Sequence, residues 1–217
     1  MTTLESVRDL AGTQSLEVLG ALHISEDDRD LVGTGTLILL GPKEPGFWPL
    51  VQCSPEFGDG APDPLDRWSK RVVTEIAQKL DGRAFFPFSE GPFLPFYRWA
   101  IETGSLWPSP VRLLVHESQG LLVSIRGAIA VPKKLVLDPP ATQPCLNCAT
   151  QPCRRSCPVG ALTPENYLVD TCHAFLNTQA GKRCLDGGCN VRVSCPASKA
   201  YGRLPEQSAY HMRQFHK

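Results

Sequence analysis

Eight of this chain's nine cysteines lie between Cys145 and Cys195, and the ninth, Cys53, stands alone far upstream. That crowding constrains the fold more than any other feature. Eight thiols so close together are read first as ligands of metal. They form two runs of four. The first is Cys145-x2-Cys148-x4-Cys153-x3-Cys157-Pro158, and the second is Cys172-x11-Cys184-x4-Cys189-x5-Cys195-Pro196. Each run ends in Cys-Pro, where the proline withholds an N–H and turns the chain aside. Two sets of four thiolates match the ligand demand of two four-iron, four-sulfur clusters, in which each iron takes one soft thiolate.

Two other chemistries compete for the same residues. Structural zinc uses four cysteines per ion but is usually carried on paired Cys-x-x-Cys knuckles, and only Cys145/Cys148 has that spacing. Disulfides belong to oxidising compartments. The start of the chain, Met1-Thr-Thr-Leu-Glu-Ser6, has neither the basic residues nor the apolar stretch of a secretory signal, and nine is an odd number. The expectation is a cytoplasmic protein. No run approaches the roughly 18 apolar residues of a membrane span.

Charge is unevenly spread. Lys plus Arg and Asp plus Glu both total 22. Residues 1–66 nevertheless carry 3 basic and 12 acidic side chains, whereas residues 145–217 carry 9 basic and 4 acidic. A basic cysteine-rich segment suits anionic clusters, and Arg154, Arg155, Lys182, Arg183, Arg192 and Lys199 surround the cysteines in sequence. A zero net charge gives no general pull towards nucleic acid. The tail after Pro205 (Tyr210, His211, Met212, Arg213, Phe215, His216) reads as a helix docked on the body rather than a nucleic-acid arm.

The first 138 residues mix strand and helix patterns. Thr3 caps a short helix ending near Gly12. Glu17 to His23, Gly35 to Leu40 and Phe47 to Gln52 read as strands, the last at an edge because of Pro49. Asp63-Pro64 opens the clearest helix, with Leu65, Trp68, Val72, Ile76 and Leu80 at helical spacing. Phe96 to Thr103 reads as a short helix. Val111 to Glu117 and Leu121 to Ala130 read as a hairpin about Ser118-Gln119-Gly120, with Val131 to Leu137 extending the sheet. Asp138-Pro139-Pro140 breaks the pattern. Beyond it the composition turns to Cys, Pro, Gly and Arg, with Glu165 to Thr178 the longest helical piece. The expected class is α+β. A mixed α/β domain spans 1–138, a cluster module 139–205 and a tail 206–217.

The segment Cys145-Leu-Asn-Cys148 … Cys157-Pro158-Val-Gly-Ala-Leu162 resembles the bacterial ferredoxin signature. The segments Val169-Asp-Thr-Cys172-His173-Ala-Phe-Leu176 and Gly181-Lys-Arg183 … Gly188-Cys189 … Cys195-Pro196 resemble the second half of epoxyqueuosine reductase. In two-cluster ferredoxins the fourth cysteine of a run serves the other cluster. The resemblance therefore implies one cluster on Cys145, Cys148, Cys153 and Cys195, and another on Cys157, Cys172, Cys184 and Cys189. It also implies a nitroreductase-like, cobalamin-binding front domain ahead of a ferredoxin-like module.

Two functions follow. The first is ferredoxin-like electron transfer with a redox partner protein. The alternative is a reductase whose clusters feed a cobalamin or flavin in the front domain, with tRNA the one nucleic acid that reading would bring. Glu90 is then the candidate proton donor, because reduction by electron pairs needs protons. A surface carboxylate is its plainer role. The aromatic set Phe85, Phe86, Phe88, Phe93, Phe96, Tyr97 and Trp99 could line a cofactor pocket or, more commonly, pack a core. His173 follows a ligand position directly and is expected beside the ligands rather than among them. Cys53 is expected to be at least half-buried and to play no part in ligation. A zinc-stabilised interaction module is the third alternative.

Overall fold

In a computed structural model, which describes every residue except Met1, Glu90 and Pro92, the chain is a mixed α+β protein. Among the described residues six strands form: β1 Leu16–His23, β2 Thr36–Pro42, β3 Arg83–Phe85, β4 Leu106–Pro108, β5 Leu114–His116 and β6 Gly127–Val131. Clustering of the backbone divides the chain into two compact units. One is Met1–Ser105 with Ser124–Ala141, and the other is Leu106–Val123 with Thr142–Lys217. Among the described residues, no helix is long and apolar enough to cross a membrane.

The first unit is built on an antiparallel sheet in the order β1-β2-β6-β3. Its centre is β2, whose run Leu37-Ile38-Leu39-Leu40 is wholly buried. An unbroken apolar run suits a strand covered on both faces, and each such side chain contributes on the order of 2 kcal/mol. Thr3 closes a capping box with Ser6 and starts the Leu4–Gly12 helix, which buries Leu4, Val7 and Ala11. The Pro64–Lys79 helix buries Leu65, Trp68, Val72, Val73 and Ile76 along one face. Its Ser69 hydroxyl and Asp66 carboxylate hold the buried Arg126 guanidinium, so that charge enters the core paired and hydrogen-bonded.

Two expectations for this unit are corrected. Phe47–Gln52 is a helix, not a strand. Pro49 falls in its first turn, where a missing N–H costs nothing, and Phe47, Trp48 and Val51 bury at helical spacing. Cys53, at the end of that helix, is exposed rather than half-buried. The aromatic stretch divides. Phe96 and Trp99 are buried in a short helix, Phe85, Phe86 and Phe88 are half-buried, and Phe93 and Tyr97 face solvent. Trp99 donates its indole N–H to the buried Asp28, which also pairs with Arg98. Glu90 lies outside the described residues.

The expected hairpin 111–130 does not form. β5 pairs instead with β4, upstream, while β6 belongs to the first unit's sheet. The turn survives, closed by paired hydrogen bonds between His116 and Gly120, with Gly120 at φ +57°. The second strand is pre-empted. Arg192 donates to the carbonyl of Leu121 at 2.8 Å, and Arg203 donates to that of Leu122 at 2.7 Å. Those guanidiniums take acceptors that a strand partner would otherwise use.

Candidate metal centre

The second unit has little regular structure of its own. It comprises the β4–β5 ladder, a series of short helices and the closing helix Pro205–Phe215. Its largest buried cluster joins Val111, Val115, Leu121, Leu162 and Val191 to Cys153, with Cys145, Cys157, Cys189 and Cys195 packed against it. The cysteines are thus part of its core, not an attachment to it.

Cysteines of the two runs meet across the chain order. Cys145, Cys148, Cys153 and Cys195 line one cavity of about 40 Å³, backed by Val115 and Leu121. Cys157 and Cys189 pack against the same apolar cluster as Cys145, Cys153 and Cys195. Cys172, Cys184 and Cys189 share a second buried cluster with Leu176 and Met212. None of the nine cysteines forms a disulfide.

Proline and glycine set the local geometry. Pro144, Pro152, Pro158 and Pro196 each adjoin a cysteine of the set. Three of these prolines open one-turn helices: Pro144–Asn147 carries Cys145, Pro152–Arg155 carries Cys153, and Pro196–Ala200 directly follows Cys195. At Gly120 a side chain would meet the backbone nitrogen of Ser198 at 2.4 Å, so only glycine lets the turn approach the helix after Cys195. Ser198 completes that contact by accepting a hydrogen bond from the Leu122 N–H at 3.2 Å.

Electrostatics at these positions oppose ionised thiols. Burial, then the neighbouring Cys195, Cys153 and Cys148, push the Cys145 thiol up from 9.0 to about 11. Burial, then Cys189, Cys157 and Cys184, push Cys172 up to about 11. Cys153 and Cys184 move the same way, chiefly through burial. Backbone amides work in the opposite sense. Ala161 N–H donates to Cys157 Sγ at 3.2 Å, and amides of Arg154 and Asn190 serve Cys153 and Cys184. Hydrogen bonds to sulfur favour the thiolate and so partly offset the effect of burial.

Around the second group, Tyr167 and His173 close one side. The Tyr167 ring stacks on Phe215, with centroids 6.1 Å apart and 15° between planes. His173 lies 4.6 Å from the same ring. His173 Nδ1 is 2.7 Å from His216 Nδ1, and His216 Nε2 is 3.0 Å from Asn177 Oδ1. His173, next to Cys172 in sequence, thus joins a polar chain with His216 and Asn177. A tight turn at Thr163–Asn166 replaces the first turn of the helix expected from Glu165. That helix begins only at Val169.

Among the described residues, no three His, Cys, Asp or Glu side chains converge so as to hold a single metal ion. No family model, curated protein or solved structure matches the chain.

Proposed function

We propose that the second unit is a ferredoxin-like module that carries two four-iron, four-sulfur clusters and transfers single electrons. One observation carries the reading: Cys195, from the end of the second run, joins Cys145, Cys148 and Cys153 of the first around one cavity. Cys145, Cys148, Cys153 and Cys195 would hold one cluster, and Cys157, Cys172, Cys184 and Cys189 the other.

The donor set fits the group. Each corner iron of a cubane binds its own thiolate, so the four sulfurs stay apart around a volume, whereas one tetrahedral zinc draws all four to a point. Four thiols spaced about a cavity suit the former. The amides of Ala161, Arg154 and Asn190 supply the N–H···S bonds that help set cluster potentials. Two clusters with a 2+ core add about −4 of charge, and the 9 basic against 4 acidic residues of 145–217 offset it.

When bound, such clusters supply one-electron transfer between a reduced donor protein and an oxidised acceptor. The chain's own residues bind, insulate and tune. Val115 and Leu121 line the first cavity, and Leu176 and Met212 pack with Cys172, Cys184 and Cys189.

The test is anaerobic purification followed by iron, acid-labile sulfide and zinc analysis with an absorption spectrum. The expected result is brown protein with about eight iron and eight sulfide per chain. Colourless protein with stoichiometric zinc and no labile sulfide would overturn the reading.

A further inference from the structure

We propose that Ser198 and Arg192 are positioning residues for the first cluster: they clip the turn at residues 116–122 to the chain on either side of Cys195, and so hold that sulfur in the cavity of the first run. The proposal rests on the cluster reading above.

Cys195 needs such help more than its three companions. Cys145, Cys148 and Cys153 are close in sequence, on or beside two one-turn helices, and local geometry keeps them together. Cys195 joins them from the far end of the second run, and closing so long a loop costs chain entropy that tertiary contacts must offset. Its own backbone is extended, a joint between the helices Asn190–Ser194 and Pro196–Ala200.

The contacts bracket that joint. Ahead of Cys195, Arg192 donates to the Leu121 carbonyl at 2.8 Å. Beyond it, Ser198 accepts the Leu122 N–H at 3.2 Å and donates to the Gln119 carbonyl at 3.4 Å. Ser198 and Gln119 are both buried, which strengthens the bonds between them. A side chain at residue 120 would collide with the Ser198 nitrogen at 2.4 Å and its hydroxyl at 2.6 Å, so glycine is required for the clip to close. The turn itself is a firm support. His116 ends β5, which pairs with β4, and its backbone exchanges hydrogen bonds with Gly120 at 3.1 and 2.9 Å. The Leu121 side chain then lines the cavity beside Cys195 and Ala197.

A sulfur that drifts leaves one iron of its cubane short of a thiolate, and residues that orient a metal ligand act on the site through it. No ligand of the second group lies within the clipped stretch. Ser198→Ala removes the hydroxyl and little else. The holoprotein, purified without oxygen, is reduced with dithionite and read by electron paramagnetic resonance, and its iron is challenged with a ferrous chelator. The expected result is a change in the signal that Cys195→Ser alters and no change in the signal that Cys172→Ser alters. About half of the iron should leave about ten times faster than from the unaltered protein. Ser194→Ala removes a hydroxyl next to Cys195 that donates within its own helix, to Val191, and it should match the unaltered protein. Unchanged signals and release in Ser198→Ala, equal changes in both signals, or the same effect from Ser194→Ala would overturn the proposal.

If Ser198→Ala does not fold, Arg192→Lys decides by the same measurements, because it keeps the charge and shortens the reach to Leu121. The first signal alone should change, and no change, or a change in both, would overturn the proposal as surely. Absence of iron and labile sulfide from the unaltered protein would instead defeat the cluster reading, and no variant is needed to see it.

Discussion

At the scale of single residues, the two units are stabilised by different chemistry. In the first, Arg71 grips Glu56 through Nε at 2.6 Å and Nη2 at 3.1 Å, on a carboxylate that is almost wholly buried. The Arg71 guanidinium holds the Glu56 carboxyl at about 2, down from 4.5. A lowered carboxyl value stabilises the fold fully above the ordinary value, and that contribution is lost as pH falls through the folded one. Glu56→Gln should therefore cost about 2 kcal/mol at neutral pH. The difference from the unaltered chain should shrink from about pH 5 and vanish near pH 2. Urea unfolding followed by tryptophan fluorescence across that range measures it, and a difference that does not depend on pH would refute the assignment. In the second unit the decisive residues are thiols, and burial pushes those of Cys145 and Cys172 up to about 11.

At the scale of elements, the closing helix Pro205–Phe215 does more than dock. It places Met212 in the cluster that holds Leu176 and Cys184, and Phe215 against Tyr167 and His173. Ending the chain after Leu204 should strip cover from the second group and leave the first cavity its full lining. Iron should fall from about eight to about four per chain. Retention of all the iron would show that the helix is dispensable. The sequence made this helix legible through its amphipathic tail, and the long Pro64–Lys79 helix through its capping pair and spacing. It misled where one residue pattern serves two elements. Phe47 to Gln52 is short and apolar, and periodicity cannot separate a buried strand from a helix over so few residues. Leu121 to Arg126 looked like a strand because nothing local reveals that Arg192 and Arg203 occupy its carbonyls.

At the scale of the whole molecule, the division into units does not follow a single cut in the chain. Leu106–Val123 leaves the first unit's sequence and joins the cysteine-rich one, bringing Val111, Val115 and Leu121 into contact with the cysteines. The crowding of the cysteines was readable from composition and spacing alone. The segment that backs them was not, because its apolar residues look like any other strand. A fragment consisting of residues 139–217 should consequently load less iron than the full chain, and adding 106–123 through a linker should restore loading. Full loading of the shorter fragment would mean that those apolar residues are not required.

The crossed grouping of the cysteines is tested most directly by the paramagnetic resonance of reduced Cys195→Ser. Cys195 is the last cysteine of the second run, but it lines the cavity of the first. The account expects Cys195→Ser to alter the same cluster signal as Cys145→Ser, and to leave intact the signal altered by Cys172→Ser. A Cys195→Ser spectrum that matches Cys172→Ser instead would contradict it.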